Sequence, residues 1–145
     1  LNNLPPVKGR LCPLAGINGS ILIDDSYNAS PNSFRAAIDV LMSFPGRKIL
    51  LAGEMKELGS DTNSTHVSVG EYAANLGIDE LWATGEFCRL MVDAFAGKGK
   101  YFSSKTELIN AAKLAANTDI VFLVKGSRGA KMDTVVNALT DGEEI

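Results

Sequence analysis

Short apolar runs alternate with longer amphipathic stretches along most of the chain. The apolar runs lie at residues 21–23, 47–52, 80–84, 101–103 and 119–124. Each run is followed by a stretch whose apolar positions recur at helical spacing; the first of these begins at Pro31 and carries Phe34, Ala37, Ile38 and Leu41. Because strands that alternate with helices are typical of βαβ units, the pattern predicts five parallel strands.

A hairpin is predicted at the start of this alternation. Residues 10–15 and 20–23 flank the pair Asn18-Gly19, which favours a tight turn. Pro13 has no amide hydrogen to donate, which fits a strand at the edge of a sheet. We therefore expect an α/β fold: a Rossmann-like open sheet of five parallel strands plus one antiparallel edge strand, with helices on both faces.

Several predicted helix ends carry the residues that usually cap them. Ser30, followed by proline, is typical of a helix start. Ser64 or Thr65 is expected to cap the start of the second helix, and Gly77 to end it. Ser104 has a glutamate three residues later, the spacing of a reciprocal capping box.

Polar residues follow each predicted parallel strand where it leaves the core. These segments are residues 24–28, 53–56, 85–86, 103–104 and 125–128. Open α/β sheets bind ligands beyond the carboxyl ends of their strands. We therefore expect the segments to converge on one edge of the fold, which we call the rim.

Two segments of the rim carry side chains that suit a particular kind of ligand. Asp25 lies where a carboxylate can accept the hydroxyl groups of a ribose. Residues 125–129, Lys-Gly-Ser-Arg-Gly, combine two cations, a hydroxyl and glycine-freed backbone amides before a helix, which suits a carboxylate or phosphate. A purely structural interpretation stays open for both, as solvated turn carboxylates and as a glycine turn with two surface cations.

The remaining candidates are weaker. His66, the only histidine, lies near a predicted helix start, which favours a helix-end or hydrogen-bonding role over metal ligation or catalysis. Lys56 is a solvated loop charge unless a partner domain closes over it. Cys12 and Cys88 lack the C-x-x-C spacing, so we expect small apolar core residues and no disulfide or metal site.

Composition narrows the class of protein. The 145 residues suit one domain, and 46% hydrophobic with 21% charged residues is ordinary for a globular protein. A net charge of −3 with interspersed signs leaves no basic footprint for nucleic acid. No apolar run approaches the ~18 residues of a membrane helix, and no signal peptide is visible, so we expect a cytoplasmic protein without membrane insertion.

The chain reads as one domain of something larger. Residues 1–9 lack an initiator methionine and resemble the remnant of an interdomain linker, so we place the domain at residues 10–145 and expect a fragment. Neither a G-x-x-x-x-G-K-[ST] phosphate loop nor a G-x-G-x-x-G turn occurs in the sequence. Any nucleotide triphosphate must therefore be held mostly by another domain.

The motifs, taken in order, resemble a known family. They are Gly-Arg10, I-D-D-S-Y-N-A-S-P, P-G-R-K-I-L-L-A-G-E-M-K-E-L-G, His66-x-x-V-G and V-K-G-S-R-G-x-x-M. Together they are similar to the C-terminal domain of the Mur ligases, over about residues 10–139. The D-D-S-Y-N-A and K-G-S-R-G elements resemble those of the family member that adds D-alanyl-D-alanine to a UDP-N-acetylmuramoyl-tripeptide.

The resemblance implies a three-domain ligase of cytoplasmic peptidoglycan synthesis that uses ATP and Mg²⁺. In that family the central domain holds the phosphate loop and the magnesium ligands, while the C-terminal domain closes over it. ATP phosphorylates the tripeptide carboxylate, and the amine of D-alanyl-D-alanine attacks the acyl phosphate. The partners it implies are these two substrates and the N-terminal and central domains of the same chain. The isolated domain is expected to be inactive.

The resemblance also assigns residues. It implies Asp25 for the ribose hydroxyls, Tyr27 and Asn28 for the nucleotide edge, and Arg10 for the ATP phosphates. A further set is implied for the amide-forming side: Lys125, Ser127 and Arg128 for the terminal carboxylate of the dipeptide, and Lys56 for the reacting centre. The family more often has Asn at Ser30 and Asp at Glu54, which leaves the geometry of the Glu54 loop less certain.

Two alternatives stay open. One is a non-enzymatic, flavodoxin-like nucleotide-binding module, although a self-sufficient site would be expected to carry its own phosphate-binding loop. The other is the equivalent domain of another amino-acid ligase, such as folylpolyglutamate synthase, which shares the architecture.

Overall fold

The computed structural model describes residues 10–27, 29–56 and 58–144. These residues form a mixed sheet of seven strands with five α-helices. The strands are β1 (Cys12–Gly16), β2 (Ile21–Asp25), β3 (Arg47–Ala52), β4 (Glu80–Thr84), β5 (Gly99–Phe102), β6 (Ile120–Lys125) and β7 (Thr140–Glu144). The helices are α1 (Pro31–Met42), α2 (Thr62–Leu76), α3 (Cys88–Ala94), α4 (Lys105–Ala115) and α5 (Asp133–Leu139).

The strand order across the sheet is β5-β4-β3-β6-β2-β1-β7. Strands β2 to β6 are parallel, and β1 is antiparallel to β2, so the predicted five parallel strands and antiparallel strand are confirmed. The structure adds β7 outside β1, paired at Leu14–Glu144 and Gly16–Thr140, so β7 and not β1 forms this edge of the described sheet. Sequence analysis missed β7 because Thr140–Glu144 has no alternation of apolar and polar residues.

Helices cover both faces of the sheet, as predicted. Helices α1, α2 and α3 pack in one core, and α4 and α5 pack in the other. Successive residues of β6 alternate between them: Val121 and Leu123 face the first core, and Phe122 and Val124 the second. Because β6 is buried on both faces, it reads as a continuous apolar run.

The helix starts follow the capping signals in part. The Ser33 amide donates to Ser30 Oγ at 3.1 Å and the Ser33 hydroxyl accepts from the Ser30 amide at 2.8 Å, which confirms the predicted start of α1. Ser104 caps α4 through the Glu107 amide, but the Glu107 carboxylate accepts from the Ser103 hydroxyl instead of completing a capping box.

The predicted cap of α2 was wrong by three or four residues, since the observed cap is Asp61. The helix begins at Thr62, because a 3-10 turn at Gly59–Asp61 leads directly into it and the Thr62 hydroxyl donates to the Gly59 carbonyl at 2.7 Å. Its end at Gly77 is as predicted, with φ at 84°, a conformation that favours glycine. Among the described residues, no helix has the length and apolar character needed to cross a bilayer.

Candidate functional site at the rim

The carboxyl ends of β2, β6 and β3 lie side by side near the middle of the sheet. The strand register places Asp25 opposite Lys125 and Lys125 opposite Ala52. Asp25 and Lys125, which are 100 positions apart in sequence, therefore meet at the rim. The predicted convergence of an acidic and a cationic segment on one edge is confirmed.

Asp25 and Lys125 form a buried ion pair. Lys125 Nζ donates to Asp25 Oδ2 at 2.6 Å, and the two side chains are 1% and 10% exposed. The Lys125 ammonium also lies 5.4 Å from the centroid of the Phe34 ring. Burial lowers the pKa of Lys125 below its ordinary value, although the bond to Asp25 opposes the shift.

The neighbouring Asp24 fixes the turn that leaves β2. Its Oδ1 accepts from the Ser26 amide at 3.1 Å and from the Ser26 hydroxyl at 2.7 Å, and both residues are buried. This local bonding satisfies the turn and leaves the next residue, Tyr27, 38% exposed. Asp24 is thus a structural turn residue that also borders the rim.

Tyr27 lies between two arginines. The Arg10 guanidinium carbon is 4.2 Å from the Tyr27 ring centroid, and that of Arg128 is 5.1 Å away. Both distances are within the range of cation–π contacts. The structure therefore brings together Arg10, Tyr27 and Arg128, which the sequence assigned to two different ligands; Asn28 lies outside the described residues.

The loop after β3 is tied to the loop after β6. The Gly53 amide donates to the Lys125 carbonyl at 2.8 Å, and the Ser127 amide donates to the Glu54 carbonyl at 2.9 Å. This pairing continues the contact between β3 and β6 past the end of the sheet. It sets Lys56 beside Ser127 and Arg128 in one cleft.

The His66 side chain is hydrogen-bonded to the loop after β3. It is fully buried; its Nε2 accepts from the Met55 amide at 3.1 Å, and its Nδ1 lies 2.7 Å from the Thr62 carbonyl oxygen. Because an amide can only donate, Nε2 carries no proton, and Nδ1–H donates to Thr62. The predicted hydrogen-bonding role of His66 is confirmed.

Glu54 links this loop to the start of α3. Its carboxylate accepts from the Phe87 amide at 3.0 Å and from Lys56 Nζ at 3.0 Å. Partial burial raises the pKa of Glu54, but these bonds outweigh it and the net pKa is below the ordinary value. Gly85, with φ at 107°, leaves room for this contact, since a Cβ there would lie 2.5 Å from Glu54 Cγ.

Two clefts flank Arg128. The α5 cleft, of about 670 Å³, lies between the end of β2 and α5 and includes Tyr27, Lys131, Asp133 and Asn137. The α1 cleft, of about 720 Å³, is bounded by the start of α1 and by both tied loops, and its polar residues are Ser30, Lys56, Ser127 and Arg128.

Ser127 has an unsatisfied hydroxyl at this point. The residue is 7% exposed, and its Oγ is buried without a hydrogen-bond partner among the described residues. Buried polar groups in folded proteins nearly always have partners, which makes this hydroxyl, on a residue that lines the α1 cleft, a candidate for a ligand contact. With Lys56 and Arg128 beside it, the cleft suits an anion.

Sequence reasoning missed the α5 side of the rim. Lys131, Asp133, Thr134 and Asn137 border the α5 cleft, and only the polar spacing of Asp133 and Asn137, one helical turn apart, signals it. Local sequence does not show that this helix face lies next to the end of β2.

Both cysteines lie in the interior of the described structure. Cys12 and Cys88 are buried, consistent with their predicted role as apolar core residues. Burial raises the pKa of the Cys88 thiol well above its ordinary value, which makes it a poor nucleophile. Residues 10–27, 29–56 and 58–144 contain no cluster of three acidic, His or Cys side chains that could hold a metal.

The open sheet and its polar rim define a Rossmann-like domain of the kind that meets ligands at the carboxyl ends of its strands. A family model described as "Mur ligase, glutamate ligase domain" matches residues 9–128. The chain belongs to the Mur ligase family, as its motifs predicted.

Relatives of known name agree with this assignment. UDP-N-acetylmuramoyl-tripeptide–D-alanyl-D-alanine ligase of Escherichia coli (strain K12) is 43% identical over 143 residues, 97% of this chain and 31% of that protein. The crystal structure of MurF ligase from Thermotoga maritima in complex with ADP has a TM-score of 0.83 at 26% identity, over 94% of this chain and 31% of that one. The chain thus spans about a third of the length of these relatives.

The folylpolyglutamate alternative is less favoured. A bifunctional folylpolyglutamate synthase/dihydrofolate synthase from Yersinia pestis has a TM-score of 0.66 at 17% identity. Likeness at this level shows a shared fold alone.

Proposed function

We propose that this chain is the C-terminal domain of a cytoplasmic, ATP-dependent ligase that joins D-alanyl-D-alanine to a UDP-N-acetylmuramoyl-tripeptide. The observation that carries the proposal is the rim itself. There, Asp25 and the Arg10–Tyr27–Arg128 contacts lie beside a cleft with an unsatisfied Ser127 hydroxyl. The named relatives and the D-D-S-Y-N-A and K-G-S-R-G motifs support the particular substrates.

We assign the nucleotide to the part of the rim around Asp25 and Tyr27. Asp25 accepts the ribose hydroxyls, Tyr27 and Asn28 border the nucleotide, and Arg10 reaches the ATP phosphates. The Thermotoga maritima relative is a complex with ADP, which supports nucleotide binding by the whole ligase. Following the family resemblance, we assign Mg²⁺ mainly to the central domain of the whole ligase, since Mg²⁺ is usually bound through one or two carboxylates and the substrate phosphates.

We assign D-alanyl-D-alanine to the α1 cleft. Its terminal carboxylate accepts from Ser127 Oγ and from Arg128, whose planar guanidinium suits a carboxylate. Lys125, which the family resemblance also assigns to this carboxylate, is buried against Asp25. Lys56, in the same cleft, is the cation nearest the reacting centre in this scheme.

The chemistry requires these cations. The γ-phosphoryl group of ATP moves to the tripeptide carboxylate, giving an acyl phosphate and ADP. The dipeptide amine attacks the acyl carbon, and the tetrahedral intermediate loses phosphate and a proton as the amide forms. Negative charge develops on the phosphoryl and tetrahedral oxygens, where preorganised Arg10 and Lys56 stabilise it.

The complete protein that contains this chain tests the proposal. With UDP-N-acetylmuramoyl-tripeptide, D-alanyl-D-alanine, ATP and Mg²⁺, we expect one amide product for each ADP and phosphate released, measured by mass spectrometry and a phosphate assay. Absence of dipeptide-dependent product would reject the proposal. The 145-residue chain alone is expected to hydrolyse no ATP, and tight nucleotide or flavin binding by it in calorimetry would favour the alternative binding module.

A substitution of Arg128 tests whether this residue serves the dipeptide site or the nucleotide site. Replacing Arg128 by Ala is expected to raise the KM for D-alanyl-D-alanine by about tenfold, ~1.4 kcal/mol, and to change the KM for ATP by much less. Arg89→Ala is a matched control, because Arg89 lies 4.1 Å from the ring centroid of Tyr101 outside both clefts. Equal changes in the two KM values would overturn the assignment of Arg128.

A further inference from the structure

The Lys125 ammonium is enclosed and faces the protein interior. Its side chain is 1% exposed, its Nζ donates to Asp25 at 2.6 Å, and the Phe34 ring lies against it at 5.4 Å. A ligand carboxylate could reach Nζ only by displacing Asp25 or by opening this part of the core. Moving a buried cation away from its carboxylate is costly, so direct binding is a poor use of Lys125.

The second carboxylate oxygen of Asp25 contacts the backbone at the start of the described chain. Asp25 Oδ1 accepts from the Leu11 amide at 3.2 Å. Leu11 has φ at 53°, a left-handed conformation that a leucine adopts at an energetic cost and that surrounding contacts must maintain. The next residue toward the N-terminus is Arg10, whose guanidinium lies over Tyr27.

We propose that Lys125 is a positioning residue for the nucleotide side of the rim and does not bind the dipeptide. It orients Asp25, which fixes Leu11 in its left-handed conformation and thereby places Arg10 over Tyr27. This inference rests on the proposed function and replaces the direct role predicted for Lys125 from sequence.

The neighbouring side chains support this division of labour. Ser127 has an unsatisfied Oγ in the α1 cleft, and Arg128 is exposed between the two clefts. Arg128 meets a ligand without rearrangement, and Ser127 Oγ, although buried, gives up no partner when it bonds one, whereas Lys125 must leave Asp25. The K-G-S-R-G motif therefore combines one paired inward cation, which organises the rim, with an unpartnered hydroxyl and an exposed cation.

Lys125→Met in the complete ligase separates the two roles. Methionine keeps the length and apolar packing of the stem but removes the ammonium. We expect the KM for ATP to rise about tenfold or more and the KM for D-alanyl-D-alanine to stay within about threefold. The reverse pattern, or equal rises in both, would overturn the proposal, and a general loss of stability would not produce this split.

A second variant guards against misfolding, because Lys125→Met leaves Asp25 buried without its cation. Asp25→Asn/Lys125→Met removes both charges while the asparagine Oδ1 can still accept from Leu11. In this variant we expect the dipeptide KM within about threefold of wild type and an ATP KM no higher than in Lys125→Met, since residues acting as a unit are non-additive. A dipeptide KM raised about tenfold here would show direct binding by Lys125.

Hydrogen exchange provides a readout that needs no turnover. The Leu11 amide is expected to exchange about tenfold faster in Lys125→Met than in wild type, measured on the complete protein by mass spectrometry. Lys100→Met is the matched control, since Lys100 is 58% exposed near Glu80 at the other end of the strands. Unchanged exchange would overturn the link from Lys125 to Leu11, whereas a wild-type protein without ligase product would reject only the proposed function.

Discussion

Two acid–base pairs join neighbouring parallel strands at opposite ends of the sheet. Asp25 and Lys125 connect β2 and β6 at the carboxyl ends, and Arg47 and Glu80 connect β3 and β4 at the amino ends. The closest nitrogen–oxygen distance is 2.6 Å in both. They differ in burial: the Arg47 side chain is 35% exposed, whereas that of Lys125 is 1% exposed.

The surroundings of each pair explain the difference. Glu80 also accepts from Trp82 Nε1 at 2.8 Å and lies 4.0 Å from Lys100, so its charge is shared with solvated cations. The pair at the rim is enclosed, with side chains 1% and 10% exposed, and connects to the Leu11 backbone. A buried pair is weak evidence for stability by itself, because desolvation offsets much of the attraction. We infer that the amino-end pair is structural, whereas the rim pair organises a site.

Breaking each pair at its cation gives the largest expected difference. Lys125→Met should lower the free energy of unfolding by about 3–5 kcal/mol, because it strands a buried carboxylate. Arg47→Met should cost at most about 1 kcal/mol, since Arg47 is 35% exposed and Glu80 keeps its contacts with Trp82 and Lys100. Chemical denaturation near neutral pH measures both, and similar losses would show that the two pairs are equivalent.

Removing the acid of each pair sharpens the comparison in function. In the complete ligase, Asp25→Ala should raise the KM for ATP about tenfold, ~1.4 kcal/mol, because both the ribose contact and the Leu11 anchor are lost. Glu80→Ala should leave that KM unchanged while it lowers stability. Steady-state kinetics at saturating dipeptide measures this, and an unaltered ATP KM in Asp25→Ala would remove Asp25 from the nucleotide site.

The sequence predicts the rim well because its signals are local. An apolar run that ends in Asp25 shows where β2 leaves the core, and Ser30 marks the start of α1. The partner of each side chain depends on which strands become neighbours, which no local signal contains. Lys125 ends the run I-V-F-L-V-K and reads as an exposed cation, yet β6 lies next to β2 and the register buries it against Asp25.

The same limit applies to the α5 cleft and to Ser127. Asp133 and Asn137 have ordinary helix-surface spacing, and only the packing of α5 beside β2 brings them to the rim. Ser127 reads as a turn residue in a glycine-rich segment, and its lack of a partner is a property of the folded loops. Sequence reasoning thus located the site but could not separate the residues that face a ligand from those that organise it.

Low pH should weaken the ion pair between Arg47 and Glu80 at the amino ends of the strands. Burial raises the pKa of Glu80, but the bonds from Arg47 and Trp82 outweigh it, so the folded-state pKa lies below the ordinary 4.5. The unfolded chain then binds more protons, so the stability from Glu80 is present above pH 4.5 and is lost as the pH falls through the lowered pKa. Denaturation at several acidic pH values should show wild type losing more stability than Glu80→Gln, and parallel pH dependences would contradict this.

The smallest expected effect concerns the exposed contacts above the rim pair. Tyr27→Leu removes the ring that Arg10 and Arg128 contact, and exposed cation–π contacts of this kind contribute about 0.5–1 kcal/mol each. We expect the ATP KM of the complete ligase to rise only about threefold, because Asp25 still fixes Leu11. Tyr27→Phe keeps the ring and should match wild type. If Tyr27→Phe raises the ATP KM as much as Tyr27→Leu does, the phenol hydroxyl, and not the ring, makes the important contact. If Tyr27→Leu raises the ATP KM as much as Asp25→Ala does, the exposed contacts, and not the buried pair, organise the site.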